Sequence, residues 1–308
     1  MRAGSAGASA PADYSAAVPE LAVIDHDAVL AAVSPAAAIE VTREAFARHH
    51  RGDWVMPAKV YLQSPPHGDF RAMPARGDGL ALLKWVTSFP GNPGRGLPTV
   101  SGVVCLSDAR TGVPLAILDA RAVTALRTGA VAAVATQALA AAGARTVGIV
   151  GCGLHGAWTA RCLAAAGYDD GVTFDPRPEV AAALAAELGG WAVGDLRPGL
   201  HLNMLGADGS GKAEASVDAV VGCELFCDEW AQASHGGELT GAVEAGLVAR
   251  EQVATLGAVL AGEHPGRSGP EATTLFDSTG LAIQDLAVAA AALRAAQAGE
   301  VEAGKITL

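Results

Sequence analysis

The stretch VGIVGCGLHGAW, from Val147 to Trp158, constrains the fold more than any other part of the chain. A β-branched run, TVGIV, precedes Gly151, Gly153 and Gly156, and a helical pattern follows. That is the G-x-G-x-x-G spacing of a strand–turn–helix that receives a dinucleotide. Gly151 allows the tight turn, Gly153 lets the backbone approach a pyrophosphate, and Gly156 lets the helix pack close to the strand. Leu154 and His155 complete the loop, so the helix N-terminus faces the phosphates with its partial positive charge. A second strand, VTF, ends at Asp175 in VTFDPR. An acid there accepts hydrogen bonds from ribose hydroxyls and repels a 2′-phosphate, which predicts NAD(H) over NADP(H). Arg177, two positions on, would soften that preference. The same spacing also serves a strand–turn–helix whose glycines only pack. The flanking strand, the helix and Asp175 favour cofactor binding.

The rest of the chain reads around this unit. Residues 1–20 are Ala/Ser/Pro-rich and lack the basic start and unbroken apolar stretch of an export signal, which predicts a disordered tail. Helical periodicity runs from Asp27, with Ser34-Pro35 as a helix start. From Val60 to Leu118 short β-type runs (KVYLQ, LALLKWVTSF, TVSGVVCLSD, PLAILD) alternate with turn chemistry, predicting a mostly antiparallel sheet. One long Ala-rich helix follows and ends at Gly143, and LAIQDLAVAAAALRAAQAGE forms a last amphipathic helix. With 308 residues, 51% of them hydrophobic, the chain can bury a full core. A net charge of −11 leaves nothing basic enough to track nucleic acid, and charge, Gly or Pro breaks every long apolar run, which speaks against a membrane span. Cys105, Cys152, Cys162, Cys223 and Cys227 are too few and too scattered for a disulfide framework. Cys223 and Cys227 have the look of half a metal site, but no other pair completes it, and buried thiols in a reducing cytoplasm are the expectation. The histidines show no metal-ligand spacing, so no metal is expected.

MPAKVYL, MPA, the block from LLKWVTSFPGNPGRG through RTGAVAAVAT, GIVGCGLHG, HLNMLGADGSGKAE and TTLFDSTGLAIQDLAV occur in this order from about Leu21 to near the C-terminus. Together they resemble the ornithine cyclodeaminase/mu-crystallin family. The resemblance implies an α/β chain with a Rossmann-type nucleotide-binding lobe and a mixed-sheet substrate and dimerisation lobe, two subunits pairing their sheets into a closed barrel. Residues 21–126 plus 281–308 would form the substrate lobe and 127–280 the Rossmann lobe. The family's enzymes pass hydride between an amino-acid Cα and a nicotinamide. On this resemblance Arg127 clamps the substrate carboxylate, for which a bidentate guanidinium is suited. Lys84 lies near the carboxylate and amine and would act in acid–base catalysis. Lys59, at a position often arginine in the family, would make a second carboxylate contact. Thr99 and Thr128 would hydrogen-bond substrate and cofactor, and Asp208 would handle the substrate amine. A strand lysine facing solvent and a plain turn aspartate are the plainer readings of Lys84 and Asp208.

Two departures from the family pattern bear on function. Arg71, in DFRAMPA, stands where the ornithine cyclodeaminases carry a glutamate, and an arginine accepts no proton. That favours a simple dehydrogenase or imine reductase, with Arg71 reaching a substrate group such as a distal acid. Between about residues 176 and 200 the chain is shorter than in typical members, so either HLNML takes the place of a lost strand or the sheet has a gap. The expected activity is NAD(H)-dependent hydride transfer at the Cα of a small α-amino or α-imino acid, in a cytoplasmic homodimer. A redox-neutral, ammonia-releasing cyclodeaminase and a non-catalytic ligand-binding homologue are the alternatives.

Overall fold

A computed structural model describes residues 20–168, 170–188, 200–209 and 211–307. In chain order the first part comprises β1 (Glu20–Ile24), α1 (His26–Ala32), α2 (Pro35–His50), β2 (Val60–Ser64), β3 (Gly68–Gly77), β4 (Leu80–Ser88), β5 (Val100–Asp108), β6 (Pro114–Asp119) and α3 (Ala120–Leu139). Next come β7 (Thr146–Val150), α4 (Leu154–Ala165), β8 (Asp170–Phe174), α5 (Pro178–Glu187) and β9 (His201–Met204). The chain continues through α6 (Val217–Val221), β10 (Glu224–Cys227), α7 (Trp230–Gly236), α8 (Thr240–Glu244), β11 (Val253–Thr255) and α9 (Leu256–Leu260). It closes with β12 (Thr274–Asp277), α10 (Ala282–Gln297) and β13 (Gly304–Thr307).

The first sheet has the order β13-β1-β6-β5-β4-β3-β2. It is antiparallel except where β1 runs parallel to β6. Strand alternation divides β4 cleanly: Leu82, Lys84 and Val86 are buried while Leu83 and Trp85 face outward. Helices α3 and α10 cover the inner face, and α2 packs on both. Helix α3 starts where Asp119 accepts from the Ala122 amide, a cap worth about 1 kcal/mol. Gly129 lets α3 meet α4, since a Cβ there would collide with the Trp158 carbonyl oxygen. By length and composition α3 is apolar enough to span a membrane, but 83% of its apolar window is buried inside the protein, so it is a core helix.

Two short strands at the chain ends escape the periodicity argument. LAVI and the segment after Gly304 are too short to separate strand from helix, and they gain definition by long-range pairing, β1 with β6 and β13 with β1. Glu20, placed in the tail by sequence, is the first residue of β1 and pairs with Thr307. The remaining tail residues, 1–19, lie outside the described residues.

The glycine-loop unit folds as expected, with β7 parallel to β8 and α4 between them. The later strands form a separate parallel sheet in the order β11-β10-β12-β9. Among the described residues β9 pairs only with β12, so it does not take the place beside β7, and a single doubly wound sheet does not form. Val150, at the end of β7, is 74% exposed. Of the segment expected to be shortened, residues 189–199 lie outside the described residues.

Candidate active site

Four cations converge between the inner face of the first sheet and the carboxyl ends of the later strands. Lys84 comes from β4, Arg71 from β3, Arg127 from α3 and Lys59 from the segment before β2. Lys84 is 1% exposed and donates to Asp285 Oδ1 at 2.9 Å. The same oxygen lies 3.5 Å from Arg127 Nε. Arg127 Nη1 donates to Gln284 Oε1 at 3.3 Å. Gly280, with φ +79°, lies against this guanidinium, and a Cβ there would sit 2.7 Å from Nη1. Glycine thus serves both the left-handed backbone and the close approach.

Lys59 Nζ donates to the Thr279 carbonyl oxygen at 2.5 Å. The turn Ser278–Gly280 is itself held by the buried Asp228 carboxylate, which accepts from the Gly280 amide at 2.8 Å and the Thr279 hydroxyl at 3.0 Å. Arg71 is 6% exposed, so it is no surface arginine. Its Nε and Nη2 donate to Asp69 at 2.6 and 3.2 Å, and its Nη1 donates to Asp208. Lys212 donates to the other Asp208 oxygen at 2.6 Å, and Tyr61 donates to the Asp208 carbonyl at 2.9 Å.

The electrostatics follow from this packing. Burial pushes the Lys84 ammonium down to about 8, against the opposing pull of Asp285 and with Arg127 adding to the fall. Lys59 is likewise lowered to about 8 by burial, with Asp228 and Asp208 opposing. Burial would raise the Asp208 carboxyl, but Arg71, Lys212 and Lys59 outweigh it and hold the group well below the usual carboxylate range. His155, on the first turn of α4, is pushed down to about 4 by burial and by Arg127 and Lys84, so its imidazole is neutral.

The glycine loop fits a dinucleotide. Gly151 has φ +87°, and a Cβ at Gly156 would overlap the Gly151 carbonyl oxygen. Gly153 is the N-cap of α4 without a side-chain cap, and nothing lies within 4 Å of where its Cβ would be. A helix leaves its first amides without intrahelical acceptors, so those of Leu154, His155 and Gly156 are available to a ligand. The carboxylate of Asp175 accepts from the Cys152 amide at 3.0 Å, which ties the loop to the end of β8. Its other oxygen accepts from the Arg177 amide and Nε at 2.9 and 3.0 Å. Asp175 thus already shapes the loop, and Arg177 occupies an oxygen expected to await a ribose hydroxyl. Near the cations, Asp285 Oδ2, Gln284 Nε2, Arg127 Nε and Thr128 Oγ1 are buried without a hydrogen-bond partner in the chain. Polar atoms of this kind suit a ligand bearing both donors and acceptors.

The structure thus brings Lys59, Arg71, Lys84, Arg127 and Asp208 together and sets His155 beside them. Thr128 is buried next to Arg127 in sequence. Thr99 lies in the turn entering β5, where its carbonyl accepts from the Phe89 amide, and among the described residues its hydroxyl joins nothing in the cluster. Cys223 precedes β10 and Cys227 is its last residue, and no metal-binding group of side chains is found among the described residues. A groove of about 470 Å³ lined by Val221, Leu225, Val253 and His264 shares no residue with the cluster.

Asp285, Gln284, Asp228, Asp69 and Tyr61 were not singled out from sequence. Asp285 carries the signal that exposed Lys84, a charge inside an apolar run (LAIQDLAVAA). Asp69 stands two residues before Arg71 on a strand and therefore shares its face.

The family model for the ornithine cyclodeaminase/mu-crystallin family matches residues 21–173 and 191–300. Alanine dehydrogenase of Archaeoglobus fulgidus is 37% identical over 88% of this chain and 93% of its own length. Iminosuccinate reductase of Paracoccus denitrificans is 33% identical over 68% of this chain and 75% of its own. Among solved structures, an archaeal alanine dehydrogenase dimer with bound NAD superposes with a TM-score of 0.89 at 36% identity, covering 94% of this chain and all of that one.

Proposed function

The chain belongs to the ornithine cyclodeaminase/mu-crystallin family, and from that premise we propose that it reduces a small α-imino acid, or oxidises the matching α-amino acid, with NAD(H). It is an amino-acid dehydrogenase or imine reductase, as its relatives are. The observation that carries this reading is the cluster of buried Lys84 with half-buried Arg127 and Lys59 beside an ionised Asp208.

Leu154, His155, Gly156 and the loop glycines would hold the cofactor pyrophosphate. NAD(H), when bound, supplies or accepts the hydride exchanged with the substrate Cα. Arg127, Lys84 and Lys59 hold the substrate carboxylate, the first as a fork and the two lysines as point charges. Asp208 stays a carboxylate and so accepts hydrogen bonds from a protonated imine nitrogen, stabilising its positive charge. When hydride reaches Cα, the C=N π pair moves to nitrogen, and the Lys84 ammonium supplies the proton that gives the ammonium product. Asp208, held ionised, is not the proton donor. Holding the reacting groups together supplies much of the acceleration. Lys84 is an ammonium below about 8, so reductive activity is expected to fall as pH rises through that value.

Arg71 decides against the cyclising alternative. Cyclisation needs an acceptor for a distal substrate amine, and this position instead carries a guanidinium closed by Asp69 and Asp208. These two carboxylates already offset the Arg71 charge and take three of its five N–H groups, so we read the substrate side chain as small and Arg71 as acting by holding Asp208. The test is NADH consumption with an α-oxo acid and ammonium. We expect NADH loss matched one for one by amino acid, whereas ammonia release from ornithine with no net NADH change would favour a cyclodeaminase.

We take residues 21–126 plus 281–308 as the substrate lobe and 127–280 as the cofactor lobe, with α3 carrying the boundary between them. The partner is a second copy of this chain. Val60, Leu62, Leu83, Trp85 and Val103 are exposed on the outer face of the first sheet, an apolar patch that a monomer would leave in water. Trp85→Asp is expected to weaken the dimer by about a thousandfold or more, because a charge would be buried at its centre. Light scattering after gel filtration reads the result, and an unchanged dimer would place the interface elsewhere. Five free thiols accord with a cytoplasmic setting.

A further inference from the structure

We propose that Asp285, in the first turn of α10, is a positioning residue that joins Lys84 and Arg127 into one clamp for the substrate carboxylate. The inference rests on the function proposed above. Lys84 comes from β4, Arg127 from α3 and Asp285 from α10, so three separate elements meet at one carboxylate oxygen. That oxygen lies 2.9 Å from Lys84 Nζ and 3.5 Å from Arg127 Nε. Side-chain exposures are 0% for Asp285, 1% for Lys84 and 12% for Arg127. Two cations brought this close in a dry interior repel strongly, and a buried ammonium without an anion surrenders its proton. Asp285 prevents both.

The three groups together carry one net positive charge, which matches one substrate carboxylate. Gln284, the preceding residue, accepts from Arg127 Nη1 and sets the angle of the fork. The unpartnered Asp285 Oδ2 and Arg127 Nε lie on facing groups, so the pair has spare capacity to tighten when an anion arrives. The charged groups facing Lys84 are Asp285 on α10, Arg127 on α3 and Arg71 on β3, with neutral His155 on α4 nearby. Asp285 is the only one of these four that favours the ammonium.

The experiment compares wild type with Asp285→Asn, Asp285→Glu, Lys84→Arg and the Lys84→Arg/Asp285→Asn double variant, each loaded with NADH. The probe is oxamate, a non-reacting analogue of a small α-oxo acid, titrated by calorimetry across pH. Asp285→Asn is expected to weaken oxamate by about 100-fold at neutral pH, as removing one partner of a buried ion pair does. The basic limb of its pH profile should move to lower pH by about one unit or more. NADH affinity should stay within about twofold, since the glycine loop is untouched. In Lys84→Arg, whose charge is permanent, the limb should vanish, and adding Asp285→Asn should bring back no limb.

Unchanged oxamate affinity and an unmoved limb in Asp285→Asn would overturn the proposal. So would additive losses in the double variant with the limb still present, which is what a purely structural aspartate gives. Should Asp285→Asn fail to fold, Asp285→Glu carries the test. Under the proposal it keeps the limb within about half a unit of wild type, and a full acid shift would contradict the proposal. Because the probe does not react, a wild type that binds oxamate in this Asp285-dependent way yet turns over no imino acid would sink the proposed function alone.

Discussion

Arg127→Met should lower kcat/KM for the imino acid by about a thousandfold while leaving NADH binding intact, because truncating one partner of a buried charge pair costs several kcal/mol. Methionine keeps the length and apolar stem of arginine but removes the fork. The substrate carboxylate would then face Lys59 and Lys84 alone, and Gln284 Oε1 would lose its donor. The loss should fall on KM and kcat together, since the carboxylate must be held for Cα to meet the hydride. Arg127→Lys should recover only part of it, because a point charge replaces two parallel hydrogen bonds. Steady-state kinetics beside NADH fluorescence titration measure both quantities. A loss smaller than about threefold in Arg127→Met would remove this residue from the carboxylate site.

The second large effect is at the glycine loop. Gly156→Ala should abolish detectable NADH binding and destabilise the chain by about 1–3 kcal/mol, the range for overpacking at a tight contact. The added methyl would overlap the Gly151 carbonyl oxygen, and its other neighbour, the Ile149 side chain, would be only 3.2 Å away. The turn would have to open, moving the first-turn amides of α4 out of line. Gly153→Ala provides the contrast, since open space surrounds that position and only approach to the ligand is lost. Thermal melts should separate the two: Gly156→Ala lowers Tm with or without NADH, whereas Gly153→Ala loses only the NADH-dependent increment. Equal, undiminished NADH affinity in both variants would mean that the loop is structural.

These effects also mark where sequence sufficed. The strand–glycine–helix unit was legible because each glycine answers a local need: a left-handed turn at Gly151 and a close helix approach at Gly156. Lys84 was legible as a charge inside an apolar strand, and Arg127 and Asp208 through their family blocks. The partners of these residues were not. Asp285 meets Lys84 across 201 positions and Arg71 meets Asp208 across 137, separations at which no spacing rule operates. Arg71 shows the cost of that blindness. Taken alone it looked free to reach a distal acid, and only the fold reveals that Asp69 and Asp208 already occupy its fork. Asp175 is similar, since its grip on the Cys152 amide depends on how β7 and β8 align. The shorter stretch between about residues 176 and 200 left open whether HLNML would sit beside β7, and β9 instead pairs with β12, because strand order is set by long-range packing that no local pattern encodes.

The central claim is that this cluster transfers hydride between NAD(H) and a substrate Cα. Its most direct test is isotopic. The wild-type chain is given NADH deuterated at the reactive carbon, a small α-oxo acid and ammonium, and the amino acid formed is weighed by mass spectrometry. The account predicts one deuterium at Cα of every product molecule and none when Lys84→Met replaces the wild type, because no product forms. Amino acid without deuterium, or no amino acid from any small α-oxo or imino acid despite NADH binding, would contradict it.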